Sequence, residues 1–521
     1  MSDAGTLGDP HRLFSSVRWA YKWLKMSEIS EVPLLDAIRA IAFVGDLAMG
    51  QPTDHSWRTA WIASRLSRET DDDEDLCTET FIVALLRWSG CTANAHEFAQ
   101  TFGDDVAQRE SLLAVQSAET GFKSGTVTQG AAFFSLSKIH CEIAGDIASL
   151  LGLSKGVQFA LRHLFECFDG SGAPERLSGD AVPPSVYFAC IAGDLEIFNR
   201  IYGLERACEL VRQRADMQYP RPMVESAIAH AQSWFRELEN VKMTDDIEGV
   251  CKRGFEHTAA LEILADVIDL KMPWMTGHSR LAATFARSAA QQLGMPKLTQ
   301  DRLYRAGLVH GIGRAAVPNM IWDLPGTLPE SAWERVRLVP YWTGRTGRLL
   351  RSLESEVNLA SLAYERSDGS GYYRGLTAEE IPLEARVLAA AIAKAALSRP
   401  RPWRGALTSD EVHRHLLEES RKGRLDSVAV QALLPLGVGR PSLQPKGVGT
   451  HSNPLTDRER DVLRCISLGA SNKAVALKLC ISPSTVRTHV ESVFRKLGCT
   501  TRAAATLKAV QLGLLDSEEF Q

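Results

Sequence analysis

The chain has 521 residues, 45% of them hydrophobic and 23% charged, with a formal net charge of -4. That length suffices for three or four domains with several buried cores, and the balance is that of an ordinary soluble globular protein. No charged start leads into an apolar run and no stretch approaches eighteen uninterrupted apolar residues, so neither a signal peptide nor a membrane span is expected. The ten cysteines form no paired C-x-x-C pattern. They read as reduced, mostly buried thiols of a cytoplasmic protein, with Cys190, Cys465 and Cys480 placed in apolar helices.

Residues 1–10 read as a disordered start. From His11 to about Gly50 the apolar positions recur at helical spacing, first Phe14, Val17, Tyr21 and Leu24, then Leu35, Ile38, Ala42 and Leu47. The run Asp71 to Asp75 reads as a solvated acidic loop. Beyond it the chain repeats itself. Asp169-Gly-Ser-Gly172 returns as Asp368-Gly-Ser-Gly371, each with a Glu three residues earlier (Glu166, Glu365) and each followed by a Pro-led amphipathic helix. Upstream of each, a His-Ser pair opens a helix, at His55 in HSWRTAWIASRL and at His278 in HSRLAATFARSAAQQLG. One such turn is weak, but the co-ordinated recurrence predicts two divergent copies of an all-helical unit, about 11–240 and 250–433.

LVHGIGRAAVPN, ERSDGSGYYRGL and EEIPLEARVLAAA succeed one another in the second copy. Over about 150 residues this copy resembles the HD-GYP domain, a helical metal-dependent phosphohydrolase that cleaves cyclic di-GMP. The resemblance implies a metal cluster of six or more His and Asp ligands with a bridging carboxylate. Here His278 and His310 stand at two of those positions. The others hold Gly311, Val339, Ala363, Tyr364 and Ile392, and the motif's Lys is Arg314. In the first copy Arg87 and Trp88 stand in place of the His-Asp pair, Leu164-Phe165 in place of His-His, and Gly193 in place of the distal Asp. His55 and His140 persist there, most simply as hydrogen-bonded bundle histidines. A zinc site from Cys91, His96 or Glu97 lacks ligand spacing. The expectation is a catalytically degenerate body that holds no metal and no cofactor and is not an enzyme. Arg314, Arg366 and Arg374 are either phosphate contacts or ordinary surface arginines.

Residues 434–453 are dense in Gly and Pro and read as a linker with a reach of about 25 Å. After it come four helices with legible ends. Thr456 and Glu459 have capping-box spacing, Ser471 opens the second helix, and Ser482 with Pro483 opens the third, which Gly498 closes. The fourth runs from about Thr501 to Leu512. Helices two and three make a helix-turn-helix. With LT-x-RE, SNK-x-x-A, IS-x-x-TV and F-x-KLG in order, the stretch closely resembles the DNA-binding domain of LuxR-type transcriptional regulators. From Asn453 to Leu515 there are ten Lys and Arg against four acids, net +6 in a chain of net -4, as phosphate binding requires. A basic module that binds protein is the bland alternative.

The resemblance places Arg487, Thr488 and Glu491 at the base edges, with Arg487 suited to guanine and Glu491 to a cytosine amino group. The family often has a basic residue where Glu491 stands, so site preference should differ. Asn472, Lys473, Ser484, Thr485, His489, Lys496 and Arg502 are candidate phosphate or register contacts, each also readable as a solvated helix-surface residue. In the family the fourth helix makes the dimer, which assigns dimerisation to Leu507, Val510 and Leu514, expected to be more exposed than a monomer requires.

The fold class expected is all-α, with two tandem HD-like helical domains (1–245 and 250–433), a Gly/Pro-rich linker (434–453) and a four-helix LuxR-type domain (454–521). The function expected is a bacterial transcriptional regulator that binds double-stranded DNA as a homodimer. Its HD-like domains would serve as a sensory, ligand-binding or dimerisation platform for a small molecule, with no membrane partner. The rival is a residual HD-GYP-type metal-dependent phosphodiesterase acting on cyclic di-GMP, and a third reading is a protein-interaction scaffold.

Overall fold

The computed structural model describes residues 29–114, 127–241, 254–347, 349–434 and 455–515. The stripe Phe14, Val17, Tyr21 and Leu24 and nearly all of the Gly/Pro-rich linker lie outside them. The described chain is helical, as expected, apart from one short ladder. Strands β1 (Glu31–Pro33) and β2 (Thr258–Ala260) pair antiparallel, Val32 opposite Ala259. Each runs straight into the first helix of one half of the body, so the ladder joins equivalent points of the two copies.

The first half contains α1 (Leu34–Ala48), α2 (His55–Thr70), α3 (Glu74–Leu86), α4 (Val127–Leu150), α5 (Lys155–Arg162), α6 (Pro184–Tyr202), α7 (Leu204–Arg212) and α8 (Arg221–Leu238). The acidic run is half loop and half helix start: Asp73 caps α3 by accepting from Asp75 N at 2.9 Å. In the second half come α9 (Leu261–Asp269), α10 (His278–Gln292), α11 (Lys297–Val309), α12 (Val339–Thr346), α13 (Glu354–Ala360), α14 (Leu383–Leu397), α15 (Ser409–Arg421) and α16 (Ser427–Leu433). The alanines of α10 explain its central place. Ala282, Ala283, Ala286, Ala289 and Ala290 are fully buried, and Gly307 on α11 sits so close that a Cβ there would lie 2.5 Å from Ala283 Cα. Small side chains let α11 and α14 both pack on one helix.

The repeat extends to individual hydrogen bonds. Ser56 donates its N–H and hydroxyl to Asp46 at 3.1 and 2.6 Å, and Ser279 donates the same groups to Asp269 at 2.8 and 2.7 Å. Glu166 accepts from Glu175 N at 2.6 Å, and Glu365 from Arg374 N at 2.8 Å. The Asp-Gly-Ser-Gly turn has a physical reason in both copies. Asp169 and Asp368 accept from Ser171 N and Ser370 N at 2.8 and 3.0 Å. The first glycine has φ +75° at Gly170 and +79° at Gly369, where glycine carries no steric cost. At Gly172 and Gly371 a Cβ would strike the backbone at Glu166 and at Arg366.

The C-terminal module comprises α17 (Asp457–Ser467), α18 (Asn472–Leu479), α19 (Pro483–Leu497) and α20 (Arg502–Gln511). Its caps are those the sequence predicts. Thr456 and Glu459 form the capping box, Ser471 and Ser482 accept from Ala474 N and Thr485 N, and Gly498 turns left-handed at φ +61°. Cys480 departs from expectation. It is exposed at the left-handed C-cap of α18, φ +53°, rather than buried in a helix.

Exposure of α20 also departs from expectation, because the helix packs on α17 and α19 of its own module and on α4 of the body. Leu507 is 1% exposed, and Val510 and Leu514 are half-buried. The module rests on α4, where Glu142 accepts from Thr500 N and Oγ1 at 2.6 and 3.0 Å and Asp146 lies 3.6 Å from Lys508 Nζ. It also touches the loop before α10, where Thr276 Oγ1 donates to Ser467 O at 3.4 Å.

Candidate functional site

On the C-terminal module, α19 buries Val486, Val490 and Val493 against α17 and α18. That leaves Ser484, Thr485, Arg487, Thr488 and Glu491 exposed on the opposite side. Arg487 Nε and Glu491 Oε1 pair with each other at 2.9 Å, both largely solvated, so base readout by either must outbid a weak surface ion pair. Lys473 is exposed and His489 is half-buried. Other expected phosphate contacts are engaged within the module. Arg502 donates to Ala470 O and to Asn472 Oδ1 at 2.8 and 2.6 Å, and Lys496 binds Glu459 at 2.7 Å. Three of the candidates thus hold the helix-turn-helix together.

In the second half, α9, α10, α11 and the turn after α11 bring together Asp269, His278, His310 and Arg314, all buried. The two imidazoles lie 5.6 Å apart, centre to centre. His310 donates or accepts at both nitrogens: Nδ1 meets Gly307 O at 2.6 Å, and Nε2 meets Arg314 Nη2 at 2.7 Å. The carbonyl demands the proton on Nδ1, so the Nε2 lone pair faces a guanidinium. Arg314 also donates to Tyr364 Oη at 3.0 Å and stands 4.0 Å from Asp269 Oδ1. Burial pushes both imidazoles well below their ordinary value, with Arg314 adding to the effect. Burial lifts the Asp269 carboxyl to about 6. Two further arginines, which sequence reasoning missed, approach from the segment after α14. Arg399 is 2% exposed and donates to Thr276 O, and the Arg401 guanidinium lies 4.8 Å from the Trp274 ring centre. Of the other arginines expected near phosphate, Arg366 is half-buried and Arg374 is exposed beside Tyr373.

The first half is closed differently. His55 Nδ1 meets Glu196 Oε2 at 2.6 Å, and Arg58 Nε meets the other oxygen at 3.2 Å. Although burial raises it, the Glu196 carboxyl is held down at about 2 by His55, Arg200 and Arg58. His140 donates from Nε2 to Arg87 O at 2.8 Å, and burial pushes its pKa down to about 3. The Arg87 guanidinium covers Gly193, where any Cβ would clash with it, and lies 4.1 Å from the Trp88 ring centre. An apolar cavity of about 70 Å³ remains between Trp88, Phe98, Phe133, Phe165 and His140. The Cys91 thiol is pushed up to about 11 by burial and faces Met49 and His140, not His96 or Glu97.

The side chains present do not fit a metal cluster. Among the described residues no group of three or more His, Cys, Asp or Glu is placed to hold a metal ion, and the free lone pair of His310 is taken by Arg314.

Residues 262–428 match the HD domain family, and residues 453–509 match the luxR family of bacterial regulatory proteins. The 3'3'-cGAMP-specific phosphodiesterase 3 of Vibrio cholerae is 26% identical over 433 residues, covering 77% of this chain and 94% of that protein. A solved structure of a cyclic GMP-AMP-specific phosphodiesterase from V. cholerae shares the fold, with a TM-score of 0.55 at 23% identity over 77% of this chain and 97% of that one. The probable transcriptional regulatory protein NarL of Mycobacterium tuberculosis is 37% identical over 112 residues, 19% of this chain and 50% of that protein.

The chain therefore joins a LuxR-type helix-turn-helix to an HD body related to cyclic-dinucleotide phosphodiesterases. This corrects the expectation that the chain is not an enzyme. Against the five ligand positions of the second copy that lack His or Asp stands similarity to a phosphodiesterase along 77% of this chain, which points towards an enzyme. No helix among the described residues is long and apolar enough to cross a membrane.

Proposed function

We propose that this chain is a DNA-binding transcriptional regulator whose HD body takes a 3',3'-linked cyclic dinucleotide, with phosphodiester hydrolysis as the reaction class of that body. The observation that carries the DNA half is the exposed side of α19, where Arg487, Thr488 and Glu491 face away from the module's core. Similarity to a 3'3'-cGAMP-specific phosphodiesterase along 77% of the chain supports the body half. Regulation would act through α20. By resemblance this helix forms the dimer through Leu507, Val510 and Leu514, and here it lies against α4, so dimeric DNA binding would require the module to leave α4.

Arg487→Ala should cost about 1–3 kcal/mol on a selected DNA site and relax base choice at one position. Binding curves on matched and mismatched duplexes check this. An equal loss on every sequence would make Arg487 a phosphate contact, and no loss at all would remove α19 from base recognition.

A further inference from the structure

The cavity of about 70 Å³ in the first half has room for a small molecule, yet its walls give water too little to bind. Met49, Trp88, Phe98, Phe133 and Phe165 line it, and the polar side chains of the wall are committed within the protein. Asn94 Nδ2 donates to Leu136 O at 2.9 Å, and its Oδ1 accepts from Arg109 Nη2 at 2.7 Å. Arg109 also donates to Ala48 O at 3.3 Å and lays its guanidinium 4.6 Å from the Phe98 ring centre. Ser137 Oγ donates to Phe134 O at 2.9 Å. His140 donates from Nε2 to Arg87 O, and its Nδ1 lies 3.5 Å from the Cys91 thiol. Among the described wall residues only Trp88 Nε1 is a buried side-chain donor without a partner. A buried water needs about two to four polar partners, so one indole N–H leaves the cavity dry. Dry apolar cavities take apolar guests. One of about 150 Å³ binds benzene or xenon, and about half that volume suits xenon or a molecule of about two to four heavy atoms.

One wall of the cavity belongs to α4. Phe133, Leu136, Ser137 and His140 stand at i, i+3, i+4 and i+7, on one face of that helix. At about 100° per residue, Glu142 and Asp146 lie on the roughly opposite face. That face holds the DNA-binding module through Thr500 and Lys508. On its inner side α4 already touches the turn at Gly90, where a Cβ would strike the His140 backbone. A guest that needs room must therefore move the helix outward, towards the module, because a close-packed interior transmits strain.

We propose that this cavity is a binding site for a small apolar molecule, and that its occupancy loosens the hold of α4 on the DNA-binding module. The site itself is independent of the cyclic-dinucleotide reading. Its effect on DNA rests on the release of α20 from α4 proposed above.

Xenon is the probe, with the full chain followed by xenon NMR, by hydrogen exchange across residues 499–512 and by binding to its DNA site. Uptake should saturate, and exchange in that segment should speed up about fivefold or more at saturation. Ser137→Leu, which puts a branched side chain into the cavity, should abolish both effects. Leu136→Ala should enlarge the cavity enough to admit benzene, which the unaltered chain excludes. No saturable uptake by the folded chain, or uptake that Ser137→Leu leaves unchanged, overturns the site. Exclusion of benzene by the folded Leu136→Ala variant overturns it too. Saturable uptake with unchanged exchange keeps the site and overturns its link to the module. Faster exchange with unchanged DNA affinity keeps both and defeats the reading that release of α20 controls DNA binding.

Discussion

Replacing Asp105 with Ala should cost the folded chain about 3–5 kcal/mol. Its carboxylate, fully buried, accepts from Lys271 Nζ at 2.6 Å and from Asn319 N at 2.7 Å. Lys271 is itself 1% exposed, and its backbone carbonyl accepts from Asn319 Nδ2 at 2.6 Å. The adjacent ammonium keeps the Asp105 carboxyl below its usual range against the pull of burial. Asp105 belongs to the first half and Lys271 to the second, so the pair pins the halves together, and it fixes the loop that ends at Thr276. Removing the acid leaves a buried ammonium and an orphaned amide, which is the expensive way to break such a pair. Adding Lys271→Met to Asp105→Ala should recover most of the loss, since the charge is then gone from both sides. Denaturant unfolding of the two variants checks this, and a loss under about 1 kcal/mol for Asp105→Ala would contradict it.

Acid should destabilise the body well before its surface carboxylates titrate. Four buried imidazoles have pKa values lowered by burial: His55, His278 and His310 in direction, and His140 to about 3. In the unfolded chain each titrates near 6.5. Their folded values lie below the unfolded one, so the stability they contribute is present above about pH 6.5. It is lost as pH falls, because the unfolded chain takes up protons that the native one refuses. Each contributes at most about 1.4 kcal/mol per pH unit between its folded and unfolded values. Two buried carboxyls act the other way below about pH 6: Asp269, raised to about 6, and Asp46, raised well above its ordinary value, both by burial. Their protonation in the fold returns stability as pH falls. The buried imidazoles outnumber these carboxyls, so the net direction is a loss of stability as pH falls below about 6.5. Unfolding free energies measured from pH 7.5 to 5 should fall accordingly. A flat or rising profile would mean that these histidines are protonated in the native state.

Local chemistry was readable in the sequence. The capping box at Thr456 and Glu459, the Ser471 and Ser482 caps and the Gly498 stop depend on residues within a turn of one another, so spacing alone located all four helices of the module. The repeat was readable from its turns and its His-Ser pairs. A further signal lay unused: Asp46 precedes Ser56 by the same interval as Asp269 precedes Ser279, and that shared spacing would have found both buried carboxyls. What stayed hidden depends on tertiary contact. Leu507 looks like an exposed interface residue until α20 is packed on α17, α19 and α4. Arg399 and Arg401 lie more than a hundred residues from His278 and carry no motif, so nothing local joins them to the site. The expectation of no enzyme rests on single motif positions, whereas the similarity that points towards one runs along 77% of the chain.

If the HD body takes a cyclic dinucleotide and thereby governs DNA binding by the LuxR-type module, 3'3'-cGAMP should shift the affinity of the chain for its DNA site. Titration of the full chain with its selected duplex, at zero and saturating 3'3'-cGAMP and with chromatography for linear dinucleotide, tests that most directly. Bound dinucleotide, linear product accumulating with protein concentration, and DNA affinity shifted about fivefold or more are expected. A chain that neither binds nor converts 3'3'-cGAMP, or whose DNA affinity is the same when saturated with it, would contradict control of the module by the HD body.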